Sequence, residues 1–125
     1  MKQSFEILIV DRNPHVRELL KRELTAEGYP VRAAQSGREA LKWVYYYNTL
    51  DLIIVDPDMP DIDQKILLQK LKNRVPAIPI ILHAFLSDYP AHHDIFRSAI
   101  WVEKKENSIE EIKRLVADIQ GASIY

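Results

Sequence analysis

Residues 51–60 read DLIIVDPDMP, an apolar run that stops at an aspartate and continues into a polar loop with two prolines. Consecutive apolar residues rich in β-branched side chains are typical of a strand that is buried on both faces of a parallel sheet. We therefore predict a strand over Asp51–Val55, and we place Asp56 at its carboxyl end.

Similar apolar runs recur on both sides of this strand. They predict four further strands, over Phe5–Val10, Val31–Ala34, Ile78–Leu82 and Ala99–Val102. Parallel strands need crossover connections, and the intervening segments have helical periodicity, including a short pattern over Phe85–Arg97. The predicted fold class is therefore α/β, a doubly wound five-stranded parallel sheet with helices on both faces.

Capping patterns and apolar spacing predict where the helices begin and which side chains they bury. Asn13 precedes a proline, and Ser36 and Ser108 are each followed three residues later by a glutamate. These are patterns of helix N termini, the last two being capping boxes. The apolar spacing places Leu19 of the first helix and Ile66 of the third on faces that point toward the sheet.

The composition limits the classes of protein that fit. The chain has 125 residues, 17 Lys and Arg against 18 Asp and Glu, 47% apolar residues and no cysteine, which predicts one domain over residues 1–125. The missing cysteine excludes disulfides, thiolate zinc sites and a cysteine nucleophile. Near-neutral charge argues against a nucleic-acid partner, and no apolar stretch is long enough to cross a membrane. We expect a cytoplasmic protein.

Charged or polar side chains follow four of the predicted strands, namely Asp11, Asp56, His83 and the pair Glu103–Lys104. In doubly wound sheets the functional crevice lies beyond the carboxyl ends of the strands. We therefore expect the two carboxylates and the ammonium group to converge there. The residues alone leave three interpretations open: a magnesium site, a phosphoryl acceptor, or an ion cluster that closes the rim of the sheet.

Taken together, four segments resemble the receiver domain of two-component response regulators of the chemotaxis-regulator type. They are ILIVD at 7–11, DLIIVDPDMP at 51–60, PIILHA at 79–84 and WVEK at 101–104. The resemblance implies a flavodoxin-like sheet of strand order 2-1-3-4-5. It also implies that Asp56 accepts a phosphoryl group from a histidine kinase or phosphotransfer protein and relays the signal to a protein effector. Such a domain is not an enzyme, beyond assisting its own phosphorylation and dephosphorylation.

The resemblance also implies a role for each residue of the site. Asp11 belongs to the acidic pocket, and Mg2+ is held by Asp11, Asp56 and the backbone carbonyl of Asp58, since Mg2+ prefers hard oxygen ligands. The resemblance further implies that the phosphoryl group is contacted by Lys104, His83 and Ala84. Trp101 matches the aromatic residue that rotates as a switch.

Arg12 is the main departure from the family pattern, because receivers usually carry a second acidic residue at this position. A guanidinium cannot ligate a cation and would repel one, so the magnesium site is weakened. Two orientations are open: Arg12 reaches Asp11 or Asp56 and stands where the metal would, or it points into solvent.

Three smaller departures concern other positions of the motif. His83 replaces a serine or threonine and is expected to lie beneath Trp101. Gln64 replaces a common glycine, which would cost energy if a left-handed backbone were needed there. Lys105 replaces a common proline and could stand for Lys104 if the register were shifted by one residue.

These departures keep a second hypothesis open, a degenerate pseudo-receiver that acts as a phosphorylation-independent interaction module. A third and more distant hypothesis is a small phosphohydrolase that uses Asp56 as a nucleophile. It would need a substrate pocket, which short strand-end loops scarcely provide.

Overall fold

The computed structural model describes residues 4–85 and 99–123. The helix predicted over Phe85–Arg97 lies outside the described residues, apart from Phe85. Among the described helices, none is long and apolar enough to cross a membrane.

A parallel sheet of five strands forms the centre of the described structure, in the order β2-β1-β3-β4-β5. The strands are β1 (Glu6–Val10), β2 (Val31–Ala34), β3 (Leu50–Val55), β4 (Ile80–Ala84) and β5 (Ile100–Glu103). All neighbouring pairs are parallel. The predicted fold class and strand order are confirmed.

Four helices are present in the described part of the chain: α1 (Pro14–Ala26), α2 (Gly37–Tyr46), α3 (Gln64–Lys72) and α4 (Ser108–Ser123). Asn13 and Ser36 cap α1 and α2, because their side chains accept hydrogen bonds from amides of the first turns. The capping box predicted at Ser108 is wrong. Ser108 lies inside α4, and its hydroxyl is hydrogen-bonded to another side chain, described below.

The sheet separates two apolar layers. One contains buried residues of α2 and α3 packed on the sheet, and the other contains buried residues of α1 and α4. Two predicted core positions are wrong, since Leu19 is 38% exposed and Ile66 is 45% exposed, while Leu68 is buried in α3. In α1 and α3 the buried stripe is therefore narrower than the apolar periodicity suggests.

Strand β4 lies two residues further along the chain than the sequence pattern predicts. Pro79 has no amide hydrogen to donate to a neighbouring strand, and only its carbonyl takes part, accepting the amide of Ile53 at 3.0 Å. As a consequence, His83 and Ala84 are the last residues of the strand rather than the first residues beyond it.

The loop after β3 is hydrogen-bonded to the N terminus of α2. Both carboxylate oxygens of Asp61 accept backbone amides there, from Gly37 and Arg38, each at 2.9 Å. A Cβ atom at position 37 would collide with the side chain of Ile62, so only glycine fits this approach. Gln64 begins α3, and no non-glycine residue in the described ranges has a positive φ, so its predicted strain does not arise.

Candidate functional site

Two aspartates mark the carboxyl ends of the central strands. The amide of Asp11 donates to the carbonyl of Ala34 at 3.2 Å, and that of Asp56 donates to the carbonyl of Val10 at 2.9 Å. These bonds continue the parallel ladders by one residue and hold the two aspartates side by side. Both are buried, with 1% and 6% of their surface exposed.

Lys104 joins the two carboxylates. Its Nζ lies 2.6 Å from Oδ2 of Asp56 and 2.9 Å from Oδ2 of Asp11, and its side chain is only 9% exposed. The position is fixed from the backbone, because the amide of Lys104 donates to the carbonyl of Ala84 at 2.9 Å. Lys105 is exposed, so the register of the sequence motif is the one that places Lys104 in the site.

The other oxygen of each carboxylate is held by the backbone. Oδ1 of Asp11 accepts the amide of Asn13, and Oδ1 of Asp56 accepts the amide of Asp58, both at 2.9 Å. All four carboxylate oxygens therefore have a donor, which is what buried anions require. The arrangement holds both aspartates in one orientation.

Burial and charge act against each other in this cluster. Burial raises the pKa of Asp56 above its ordinary value and outweighs the lowering by Lys104 and by the amide of Asp58. Burial also lowers the pKa of Lys104, but the hydrogen bonds and charges of Asp56 and Asp11 outweigh it, and the pKa of Lys104 is raised. The lysine is thus kept as a cation beside the aspartates.

Of the two orientations considered from the sequence, Arg12 takes the outward one, and at the surface it pairs with Asp58. Its Nη2 lies 3.2 Å from Oδ2 of Asp58, and the two side chains are 53% and 48% exposed. The expectation that it reaches Asp11 or Asp56 is wrong, because Lys104 already pairs with both carboxylates. Arg12 instead makes an ion pair at the surface.

These side chains surround a cavity of about 300 Å3 at the carboxyl edge of the sheet. It is lined by Asp11, Arg12, Asn13, Asp56, Asp58, Phe85 and Lys104. Sequence reasoning missed three contributions. The ring of Phe85 lies 5.6 Å from Nζ of Lys104, Asn13 donates its amide to Asp11, and Nη1 of Arg17 donates to the carbonyl of Asp11 at 2.7 Å.

The carboxylates of this cavity do not form a ready ligand set for Mg2+, because each of them is paired with a cation. Within residues 4–85 and 99–123, no group of three or more His, Cys, Asp or Glu side chains is placed to hold a metal ion. The carboxylate of Asp58 is paired with Arg12, and Lys104 contacts the two buried carboxylates. Magnesium ligation by Asp11, Asp56 and the carbonyl of Asp58 stays a prediction.

His83 points away from the cavity. It is 2% exposed, and its Nε2 lies 3.0 Å from the hydroxyl of Ser108 at the start of α4, while its Nδ1 has no hydrogen-bond partner among residues 4–85 and 99–123. Burial, followed by the charge of Lys104, lowers its pKa from 6.5 to about 4. Neither His83 nor Ala84 lines the cavity, and their predicted contact with a phosphoryl group stays a prediction.

Trp101 lies on β5 opposite Leu82 and packs against the layer that contains α2 and α3. His83 pairs in register with Val102, whose side chain belongs to the other layer. Neighbouring residues of a strand point to opposite faces, so the expectation that His83 lies beneath Trp101 is wrong. The predicted switch role of Trp101 is a separate matter and stays a prediction.

Comparison with known proteins agrees with this geometry. The family model described as the response regulator receiver domain matches residues 7–116. The probable transcriptional regulator ycf27 of Cyanidium caldarium is 38% identical over 87 residues, which are 70% of this chain and 34% of that protein. The chain spans less than half the length of each of the eight curated relatives compared.

Solved structures show the same fold. The response regulator TrrA of Thermotoga maritima, crystallised in complex with Mg2+ and beryllium fluoride, is 35% identical. Its alignment has a TM-score of 0.81 and covers 92% of this chain and 98% of that one. A structure of TrrA in complex with the histidine kinase ThkA matches with a TM-score of 0.78 and 34% identity, covering 92% of this chain and 97% of the other.

Proposed function

The chain belongs to the response regulator receiver domain family, and we propose that it accepts a phosphoryl group on Asp56 and passes the signal on by protein contact. The observation that carries this proposal is the buried carboxylate of Asp56, held by Lys104 at 2.6 Å on the wall of an open cavity. A carboxylate in this setting is oriented, partly desolvated and next to a fixed cation. Those are the conditions that favour attack on a phosphoryl group.

The chemical step is a displacement at phosphorus. With acetyl phosphate as the donor, an oxygen of Asp56 forms a bond to phosphorus, the bond from phosphorus to the acyl oxygen breaks, and the electron pair leaves with the acetate, so no proton has to move. With a phosphohistidine donor, the bond from phosphorus to the ring nitrogen breaks instead, and the electron pair stays on that nitrogen of the departing imidazole. Lys104 pairs with the negative charge that remains on the transferred group, and Asp11 keeps the lysine in place through its 2.9 Å contact.

We infer that the donor in the cell is a histidine kinase or a phosphotransfer protein. The support is the family itself, together with the TrrA relative that forms a complex with a histidine kinase. The effector is a further protein partner, which the fold leaves unspecified.

Intact mass measurement tests the proposal directly. We expect incubation with acetyl phosphate and Mg2+ to add one phosphoryl group to the wild-type chain and none to Asp56→Ala. Asp118→Ala is the matched control, because Asp118 is exposed on α4, away from the cavity, and should leave the modification intact. A phosphoryl group on Asp56→Ala, or none on wild type, contradicts the proposal.

A second candidate function is a phosphorylation-independent interaction module. The observations that favour it are the Arg12–Asp58 ion pair at the cavity and the position of His83 against Ser108 instead of at the cavity wall. If wild type stays unmodified with acetyl phosphate while Arg12→Asp becomes modified in Mg2+, this second function replaces the first.

A further inference from the structure

Arg12 is the part of the cavity that phosphoryl acceptance by Asp56 leaves unexplained. Its guanidinium lines the same cavity as the two buried aspartates and Lys104, and it pairs with Asp58 at 3.2 Å. Both members of that pair are about half exposed, and exposed ion pairs are weak. Arg12 can therefore exchange Asp58 for a stronger anionic partner at little cost.

The charge balance of the lining depends on position 12. Three carboxylates, those of Asp11, Asp56 and Asp58, face two cations, Arg12 and Lys104, so the lining carries one excess negative charge. An acidic residue at position 12 would raise that excess to three. The cavity of this chain is thus less attractive to a divalent cation and less repulsive to a dianion than a lining with a fourth carboxylate.

Arginine also has the geometry to hold a phosphoryl group. Its planar guanidinium presents paired N–H donors that match two oxygens of one phosphate, whereas Lys104 acts as a point charge. The two cations approach the cavity from different strands' ends, Arg12 after β1 and Lys104 after β5. A dianion in the cavity would have both cations available as partners.

We propose that Arg12 takes the electrostatic role of a divalent cation in this chain, so that the cavity binds a phosphoryl-type dianion without metal. The inference rests on the proposed function of Asp56 and adds to it the residue that neutralises the transferred group. It sets this chain apart from TrrA, whose complex contains Mg2+ together with beryllium fluoride.

Fluorine NMR with beryllofluoride in magnesium-free buffer is the primary test. We expect slowly exchanging bound 19F resonances with the wild-type chain, and their loss in Asp56→Asn, which removes the anionic oxygen that beryllium would coordinate. Arg12→Gln should bind beryllofluoride at least about tenfold more weakly. Arg22→Gln is the matched control, because Arg22 is an exposed arginine of α1 that does not line the cavity.

Calorimetric titration with Mg2+ supplies a second readout that does not depend on phosphorylation. We expect Arg12→Asp to bind Mg2+ at least about tenfold more tightly than the wild-type chain. The same variant should need Mg2+ before beryllofluoride resonances appear.

The outcomes separate this inference from the proposed function. Bound resonances in wild type that appear only after Mg2+ is added, or none under either condition, overturn the inference. Equal binding by Arg12→Gln and wild type overturns it as well. Phosphorylation of Asp56 in the mass experiment stands or falls independently, because that experiment contains Mg2+ and monitors the covalent product.

Discussion

Two buried cations lie at opposite ends of the sheet and are satisfied in different ways. Lys104, at the carboxyl end, contacts two carboxylates. Arg74, in the connection before β4, is 8% exposed and gives its donors to backbone carbonyls. Its Nε, Nη1 and Nη2 reach the carbonyls of Val44, Pro76 and Tyr47 at 3.1, 2.8 and 3.3 Å.

The difference separates a cation bound to the backbone from one bound to charged side chains. Carbonyl groups carry no net charge and do not titrate, so the partners of Arg74 only join the end of α2 to the segment before β4. The carboxylates around Lys104 are charged, titratable and open to a cavity. Although the two side chains are buried to a similar depth, Arg74 joins backbone segments, whereas Lys104 lies beside carboxylates that line a cavity.

Removal of Lys104 should have the largest effect on stability. Lys104→Met leaves Asp11 and Asp56 buried without their cation, and breaking a buried pair in this way costs about 3 to 5 kcal/mol. Urea unfolding at neutral pH measures the change. Lys105→Met is the matched control and should alter stability by less than about 0.5 kcal/mol, since Lys105 is exposed.

A second substitution checks the cause of that loss. Asp56→Asn in the Lys104→Met background removes one unpaired charge and should recover part of the stability. If the double variant is no more stable than Lys104→Met, the loss comes from packing and the electrostatic comparison with Arg74 fails.

Acid sensitivity should identify His83 as a buried base that has no anionic partner in the described part of the chain. Its pKa falls from 6.5 to about 4 on folding, so between these values the unfolded chain binds a proton that the folded chain does not. Stability from this group is complete above about pH 6.5 and is lost as the pH falls toward 4, by about 3 kcal/mol in total. Denaturant titrations across this pH range measure it.

The reference for this prediction is His83→Gln, which keeps a group that can hydrogen-bond to Ser108 but does not titrate. The difference in stability between wild type and His83→Gln should change across this pH range. Asp56, whose raised pKa adds stability at low pH, is present in both proteins, so its opposite contribution cancels in that difference. His15→Gln, an exposed position, should retain the wild-type slope. A constant difference between wild type and His83→Gln contradicts the prediction.

Removal of Arg74 should lower the free energy of unfolding without changing the chemistry at Asp56. Arg74→Met removes three hydrogen bonds from a charged donor group and should cost about 2 kcal/mol. Arg114→Met, at an exposed position of α4, provides the control. Phosphorylation of Asp56 under conditions where the variant is folded should match wild type; a defect in modification would show that the two ends of the sheet are coupled.

The smallest expected effect belongs to the exposed cation. Arg12→Gln should change the free energy of unfolding by less than about 0.5 kcal/mol, because its pair with Asp58 is half exposed. Thermal and urea unfolding both measure this. A larger loss would mean that Arg12 supports the fold itself, and its effect on ligand binding would then need a structural explanation.

The fold and the position of the site could be predicted from the sequence because both follow from strand ends. An apolar run that stops at an aspartate fixes where the strand ends, and parallel strands bring those ends together. This reasoning placed Asp11, Asp56 and Lys104 at one edge, where they are in contact. It failed at β4, because Pro79 shifts the pairing and moves His83 into the strand.

The partners of individual polar groups could not be predicted. Three carboxylates line the same cavity as Arg12. Which of them pairs with Arg12 depends on small differences in exposure and on the fact that Lys104 already pairs with the other two. The pairing of His83 with Ser108 depends on which face of β4 the side chain occupies, and a shift of one residue in the strand would reverse it.

Gly37, the first residue of α2, packs against Ile62 and donates its amide to Asp61, both in the loop that follows Asp56. A side chain introduced at position 37 would overlap the side chain of Ile62, and the loop would have to move to make room for it. If Asp56 is the phosphoacceptor proposed above, a substitution in the first turn of α2 would alter the site without touching the ligand, and a genetic screen for loss of signalling would recover it.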